Sequence, residues 1–417
     1  MRTRANYGIV GPVQTITAFS TGLCASATDA QLLKSSGNWA GPPGPPTAVS
    51  GTSGNASVAV AFTAPTNNGG SAITSYTVTS SPGNFTATGS SSPITVSGLT
   101  NGTAYTFTVT ATNVLGTSTA SSPSGSVTPA LPTWSYIVVA GGGGAMDGLY
   151  GGGGGGGGGY LTATGVTLST GVTYTVTVGA GGGSTSLGAQ GGNSSISGSG
   201  FTTVTAYGGG QGRTYTAGTG YPSGGNGGSG GGAASGTGAI GGKGVYPGST
   251  YISEARQGYD GANGSGGGGN QAGGGGGGAG AAGTAGALGG NCGNGGVGVA
   301  NPFTGSTAGQ NVGGTYYLAG GGGGSAETTV VAGTGLGGNG GGGQGGGSNS
   351  TKTGGTVNTG GGGGGAYSNA GTNGGSGVCV IRVASSVTAS STTGSPTVTT
   401  SGAYKFYTFT SSGSITF

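Results

Sequence analysis

"GGGGGGGGGY", residues 151–160, decides how the rest of the chain is read. Glycine loses more backbone freedom on ordering than any other residue and brings no side chain to bury. Nine in a row therefore read as flexible linker unless something packs against them. The flanking sequence argues for packing. "WSYIVVA" (134–140) leads straight into glycine and "GVCVIRVA" (377–384) follows the last glycine-rich stretch, so two apolar strands bracket the region. Between them "YLTATGVTLSTGVTYTVTVGAGGG" (160–183) and "SSISGSGFTTVTAYGGG" (194–210) read as further strands that each run into glycine. An extended glycine chain can adopt the threefold, polyproline II-like helix, which rises about 3.1 Å per residue, so nine residues span about 28 Å. Such a helix has no internal hydrogen bonds. Without side chains, neighbouring helices approach closely enough for their backbone groups to bond laterally, with Cα–H···O contacts as a lesser contribution. The expectation is a mainly β chain whose glycine region is a bundle of packed polyglycine II helices framed by strands.

Composition excludes the competing readings. Glycine supplies 117 of 417 residues, Lys and Arg 9, Asp and Glu 5 and histidine none, with a formal charge of +4 and 31% hydrophobic residues. Disordered chains combine low hydrophobicity with high net charge, which this chain does not. Collagen needs a strict Gly-X-Y period with abundant proline, and only Pro222, Pro247 and Pro302 fall between Pro132 and Pro396. From Ser35 to Ala145 there is no charged residue, and the cations elsewhere are scattered. No basic stripe exists to displace counterions from phosphates, so nucleic acid is not expected as a partner. No apolar run approaches the ~20 residues of a membrane-spanning helix, and no membrane insertion is expected. Arg2 and Arg4 precede "GIVGPV", and "CASA" (24–27) imitates a cleavage site, but Pro12, Gln14 and several threonines interrupt the apolar core a secretory signal requires. Cys24, Cys292 and Cys379 are odd in number, far apart and form no CxxC pair, so neither a disulfide framework nor a zinc site is expected.

Composition shifts divide the chain into residues 1–41, 42–130, 131–384 and 385–417. The first segment carries one candidate helix, "TDAQLLKS", in which Thr28 and Gln31 have capping-box spacing. "GPPGPP" (41–46) then breaks any regular element. After it, "SVAVAFTAP", "ITSYTVTSSP", "PITVSGL" and "AYTFTVTATN" are short period-2 runs separated by turn signals such as "TNNGGS", the pattern of an antiparallel sandwich. "GLTNGTAYTFTVTATN" (98–113) resembles the F-strand motif of fibronectin type III domains, with Leu99 and Tyr105 at the tyrosine-corner positions. The resemblance covers about residues 46–129 and implies an antiparallel sandwich acting as a spacer or as a weak sugar-binding module, the spacer being favoured. Phe62 stands where that family usually has a strand-B tryptophan, which changes core packing and not topology; no RGD occurs, so the integrin-binding loop is not carried over.

"YIVVAGGGGAMDGLYGGGGGGGGGYLTA", "YTVTVGAGGG", "GGNSSISG" and "GGSGVCVIRVA" resemble the glycine-rich domains of tailed-bacteriophage fibres and adhesins, over roughly residues 134–384. "GLCASATDAQLLKSSGNWA" resembles an N-terminal segment of phage virion proteins, and "YKFYTFTSSGSITF" (404–417) a strand pair that accompanies such glycine modules. The resemblance implies a virion-surface protein assembled in the host cytoplasm, attached to other virion proteins through residues 1–41 and trimeric. Its expected target is a host surface polysaccharide or outer-membrane protein. Asp147, Arg213, Lys243, Glu254, Arg256, Asp260, Glu327 and Lys352 all interrupt glycine runs, and tyrosines cluster in the same interruptions. Rigid aromatic anchors among Ser, Thr and Asn suit recognition, so the expected contacts are Tyr215, Tyr221, Tyr246, Tyr251, Arg256, Tyr259, Phe303, Tyr316 and Tyr317. The bland alternative is that these residues cap helices and keep the molecule soluble.

No enzyme is expected. Without histidine no Ser-His or Cys-His pair can form, and the dispersed acids offer no carboxylate dyad. "AIGGKG" imitates a P-loop, yet Gly244 follows Lys243 and position 237 is Thr, so spacing and the Mg²⁺-binding hydroxyl both fail. "DGANGSGGGG" from Asp260 is a faint calcium-loop echo lacking further acids. No cofactor or metal is expected, and Cys379 reads as a small core residue. Other readings of the whole chain are a capsid decoration protein, a bacterial surface filament and an ice-binding protein, the last disfavoured by aromatic and charged loops.

Overall fold

Strict alternation of buried and exposed residues builds the first unit of the chain. In this computed structural model the described residues are 41–146, 151–184, 188–214, 223–244, 256–266, 271–287, 289, 291–326, 334–347, 351–367 and 370–417. The chain divides into two compact units, Met1–Leu131 and Pro132–Phe417. The N-terminal segment, with its candidate helix and Cys24, lies outside the described residues.

The first unit holds β1 (Thr47–Gly54), β2 (Ser57–Thr63), β3 (Ser75–Ser81), β4 (Thr86–Gly89), β5 (Ile94–Ser97), β6 (Thr106–Asn113) and β7 (Gly116–Thr117). They form two antiparallel sheets, ordered β1-β2-β5 and β4-β3-β6-β7. Every second residue of β6 points inward, and Val58, Val60, Val78, Val96, Phe107 and Val109 are wholly buried between the sheets. The tyrosine corner is formed: the Thr100 amide donates to the Tyr105 hydroxyl at 3.1 Å. Phe62 fills its part of the core against Tyr76, with ring centroids 4.8 Å apart. The last strand takes an unusual form. Ser118, Ser121 and Ser124 each donate an amide to the carbonyls of Ala111, Val109 and Phe107, while their hydroxyls accept the amides of the same three residues at 2.9–3.1 Å. A serine at every third position therefore replaces a β-ladder with a threefold ribbon.

The second unit holds β8 (Thr133–Val139), β9 (Tyr160–Thr167), β10 (Thr173–Thr177), β11 (Ser194–Gly198), β12 (Phe201–Ala206), β13 (Val299–Ala300), β14 (Gln310–Val312), β15 (Thr315–Leu318), β16 (Val378–Ala384), β17 (Ser391–Thr393), β18 (Thr397–Ser401), β19 (Tyr404–Phe409) and β20 (Gly413–Thr416). One sheet runs β18-β19-β16-β8-β9, a second β12-β11-β10-β20-β17, and a third, smaller one β13-β15-β14. The two bracketing strands are partners: β8 and β16 pair antiparallel from Val378↔Val139 to Val383↔Trp134. One face of this pair, with Trp134, Tyr136, Cys379 and Ile381, packs on Tyr174, Val176, Ile196 and Ile415 of the second sheet. The other, with Ile137, Val139, Val378 and Val380, packs on Phe303 and Leu318. Both faces are covered, so both strands read as near-continuous apolar runs, interrupted by Ser135 and Arg382. Strands 391–416, set apart in the sequence, belong to these sheets and not to a separate segment.

Glycine-rich sequence connects those two strands along the chain. Residues 151–159 are all buried, and none has a positive φ. Their amides donate in a threefold rotation: Gly153, Gly156 and Gly159 to Arg213, Gly210 and Tyr207; Gly154 and Gly157 to Gly274 and Gly277; Gly155 and Gly158 to Gly363 and Gly360. Their carbonyls accept in the same rotation, from Ser235, Gly232 and Ser229, from Ser325 and Gly322, and from Gly143 and Ala140. The run is thus ringed by six segments, 140–146, 207–213, 229–235, 272–279, 319–325 and 359–366. This is the hexagonal arrangement expected of polyglycine II, with the longest glycine run at its axis. A Cβ on Gly153, Gly154, Gly155, Gly156, Gly157 or Gly158 would overlap the carbonyl oxygen of Gly232, Gly322, Gly143, Ser229, Ala319 or Ala140. Close approach, and not an unusual backbone angle, requires glycine there.

Outer segments relax the requirement. In 291–297 exposure repeats every third residue, with Asn291, Asn294 and Val297 outermost. Asparagine also closes the lattice edge: the side-chain carbonyls of Asn193, Asn226, Asn263, Asn294 and Asn373 accept the amides of Gly208, Lys243, Gly241, Leu336 and Ser184 at 2.7–2.9 Å.

Candidate functional site

Because the segments run back and forth, the bundle has two ends. At one end Ala140, Gly159, Tyr207, Gln257 and Ala319 are joined by backbone hydrogen bonds or lie one residue from the strands, as in Ala140 to Gly159, Gly159 to Tyr207 and Tyr160 to Gln257. At the other end Gly151, Gly152, Gly153, Arg213, Ser235, Gly273 and Ser325 are bonded to one another, as in Ser235 to Gly151, Gly153 to Arg213 and Gly273 to Ser325. The described residues flanking 147–150, 215–222 and 327–333 lie at this second end, remote from the sheets.

The expected contact residues that are described lie on the sheet side of the bundle. Tyr215, Tyr221, Tyr246 and Tyr251 lie outside the described residues, as do Asp147, Glu254 and Glu327. Tyr215 and Tyr221 follow Thr214 and precede Ser223 in the chain, which places their attachment at the end away from the sheets. Arg256 and Tyr259 are at the sheet end, where the exposed guanidinium lies 4.4 Å from the centre of the half-buried ring. Beside them Lys243 Nζ pairs with Asp260 Oδ2 at 2.9 Å, while Oδ1 accepts the Gly244 amide at 2.9 Å. Both oxygens of the one acid in the calcium-loop echo are therefore engaged within the chain. Buried Gln257 holds this stretch to the strands: its Oε1 accepts the Tyr207 amide at 2.8 Å and its Nε2 donates to the Thr205 carbonyl at 3.0 Å. Tyr316 and Tyr317 are half-buried on β15, at the same end.

Phe303 is corrected. It is 2% exposed, sits in the core cluster with Val380 and Phe406, and offers no face to a partner. Arg382 of β16 stacks on it at 4.3 Å and on Tyr404 at 4.5 Å, and donates to Ser135 Oγ at 3.1 Å. The glycine–proline–threonine context of "NPFTGSTAGQNVGGTYY" reads as an open loop, yet β14 and β15 make a hairpin through Gly313 and Gly314, at φ 59° and 88°. A Gly-Gly pair between two short runs is a hairpin signal, and it was available in the sequence. Arg382 left no signal of its role, since a lone cation within an apolar strand does not reveal which rings flank it.

Burial pushes the Cys379 thiol up to about 12, the Cys292 thiol to about 11 and the Tyr160 phenol to about 12, so all three stay protonated near neutral pH. Among the described residues no group of three or more His, Cys, Asp or Glu comes together. What the described residues supply is a hydrogen-bonded lattice in which the axial run 151–159 is joined to six neighbouring segments.

Comparison with known proteins agrees with this layout. The fibronectin type III domain family matches residues 42–127 and the glycine-rich domain family residues 119–384. The second match begins before the boundary between the compact units at Leu131. Titin kinase with its flanking domains matches at 31% identity and a TM-score of 0.20, over 22% of this chain and 18% of that one. The chicken CNTN1 FN1-FN3 domains match at 23% identity and a TM-score of 0.19, over 33% of this chain and 48% of that one. The chain thus spans less than half the length of either. No curated protein matches the chain.

Proposed function

The chain belongs to the glycine-rich domain family, and from that premise we propose that it is a structural virion protein of a tailed bacteriophage, a tail fibre or adhesin that binds a host-surface receptor without covalent chemistry. In this reading residues 1–41 attach to the particle, the fibronectin type III unit spaces, and the glycine lattice displays the insertions that recognise the host. The supporting observation is the bundle itself. The axial helix bonds to six neighbours, and the described residues that flank 147–150, 215–222 and 327–333 are bonded into this lattice at the end away from the sheets. Tyr215 and Tyr221, within the insertion at 215–222, become the leading contacts; Tyr246, Tyr251, Arg256, Tyr259, Tyr316 and Tyr317 are secondary. Aromatic side chains carry most contact energy at such surfaces, and several copies on one particle turn weak contacts into avidity.

The test is binding of labelled full-length chain to a panel of bacterial cells and their extracted surface polysaccharides. Replacing 215–222 and 327–333 with Gly-Ser segments of equal length should abolish binding and leave the melting temperature unchanged. Matching replacement of 245–255 should weaken it less. Undiminished binding after the first pair of replacements contradicts the reading and favours a structural role.

A further inference from the structure

Asparagine followed by glycine readily loses its side-chain amide, because glycine has no side chain to hinder the approach of its own backbone nitrogen to the asparagine Cγ. Such pairs begin at Asn68, Asn101, Asn226, Asn263, Asn294, Asn339 and Asn373, and both residues of each are described. An amide must give up its proton to become a nucleophile, and a hydrogen-bonded amide does so only when the bond opens. All but one of these glycine amides are tied down. Gly69 donates to Asn67 Oδ1 at 2.9 Å, Gly102 to the Pro129 carbonyl at 2.9 Å and Gly227 to the Lys243 carbonyl at 3.1 Å. Gly295 donates to the Leu336 carbonyl at 2.8 Å, Gly340 to Gln310 Oε1 at 2.7 Å and Gly374 to the Gly182 carbonyl at 2.9 Å.

Gly264 is the exception: among the described residues its N–H has no partner. The lattice explains why. Gly261, one threefold turn earlier, donates to Gly242 of the neighbouring antiparallel segment. The same rotation sets Gly264 against Ala239, where that segment leaves the lattice through the turn at 235–238, with Gly238 at a φ of 83°. Asn263 itself is exposed, and its Oδ1 accepts the Gly241 amide at 2.9 Å. Negative charge that develops on this oxygen during attack at Cγ is stabilised by the same N–H. Asn226, Asn294 and Asn373 have a like contact, so it is the free amide that singles out position 263.

We propose that Asn263 is a site of spontaneous deamidation in the folded chain. The Gly264 nitrogen, its proton passed to hydroxide, bonds to Asn263 Cγ; the Cγ–Nδ2 bond breaks and ammonia leaves, taking a proton from water. The product is a cyclic succinimide, which water opens. Cleavage between the nitrogen and Cγ gives aspartate, and cleavage between the nitrogen and the main-chain carbonyl carbon gives isoaspartate. Either product adds a negative charge to a chain of formal charge +4. Aspartate keeps an oxygen for the Gly241 amide. Isoaspartate lengthens the main chain just before Ser265, whose amide donates to Ala272 and whose carbonyl accepts the Gly236 amide, both at 2.9 Å.

The test is peptide mapping by mass spectrometry of the full-length chain aged in mildly alkaline buffer below its melting temperature, beside a sample aged in urea. In the folded chain Asn263 should convert about tenfold faster than any other Asn-Gly pair, the rate equivalent of one net hydrogen bond. Its rate should rise in proportion to hydroxide. In urea all the pairs should convert at similar rates, which separates local chemistry from global unfolding. Hydrogen exchange reads the same feature without any modification: the Gly264 amide should exchange as in an open peptide while the other glycine amides of these pairs are slowed. An unmodified Asn263 in the aged folded chain, earlier conversion at another pair, equal rates at all of them in the folded chain, or a protected Gly264 amide would each overturn the proposal.

Discussion

At the residue scale, glycine is required for two separable reasons. Gly155 has an ordinary backbone angle, but a methyl there overlaps Gly143, and its own amide and carbonyl bond to Gly363 and Gly322. Gly171 has a φ of 77° with nothing within 4 Å of an added Cβ, so only the left-handed backbone demands glycine. Gly155→Ala should therefore cost about 3 kcal/mol or more, from overpacking and lost lateral hydrogen bonds. Gly171→Ala should cost about 1 kcal/mol, the strain of a side chain in that region. Thermal denaturation of the two variants checks the difference; equal losses would place Gly155 outside any packed helix. The need for glycine at 151–159 was legible from the run itself, and so was Tyr105, because its spacing from Leu99 is a local pattern. The place of Phe303 was not, because its burial depends on Arg382 and Phe406, far away in sequence.

At the element scale, the β8–β16 pair is the clasp of the glycine region. Nothing in a glycine helix resists sliding by a turn, since one glycine resembles the next, and the register must come from elements with side chains. Ile381 is wholly buried between the two five-stranded sheets and pairs with Tyr136 and Tyr407. Ile381→Ala should cost about 2–5 kcal/mol by cavity formation. It should also raise amide exchange within 151–159, although no glycine is touched. Exchange confined to the sheets would mean that the bundle holds itself without the clasp. The bracketing strands were plain in the sequence because their apolar runs stop where glycine begins. Their pairing with each other, and which six segments ring the axis, were not, because the lateral bonds use backbone groups that every residue carries.

At the scale of the whole molecule, stability rests on backbone hydrogen bonds and apolar sheets, with very little charge. The chain has no histidine and only five acids, so few groups titrate between pH 5 and 8, and stability should be nearly flat there. The alkaline side differs. Cys379, Cys292 and Tyr160 are held protonated in the folded chain up to about 12, 11 and 12, whereas in the unfolded chain thiols ionise near 9.0 and the phenol near 10.0. Folded pKa values above unfolded ones mean that the contribution is intact below pH 9 and is lost as pH rises toward 11–12. The slope is about 1.4 kcal/mol per pH unit for each group ionised only in the unfolded chain. Melting temperatures from pH 5 to 11 check this: a plateau and then a decline are expected, and a peak near neutrality would point to charge pairs not seen here. Everything else depends on the glycine region being a solid and not a tether. Hydrogen exchange at the amides of Gly153 to Gly159 tests that most directly, since each of them donates to a neighbouring segment. The account predicts exchange slowed by orders of magnitude and released only with opening of the whole bundle. Exchange at the rate of an unstructured glycine peptide would contradict it.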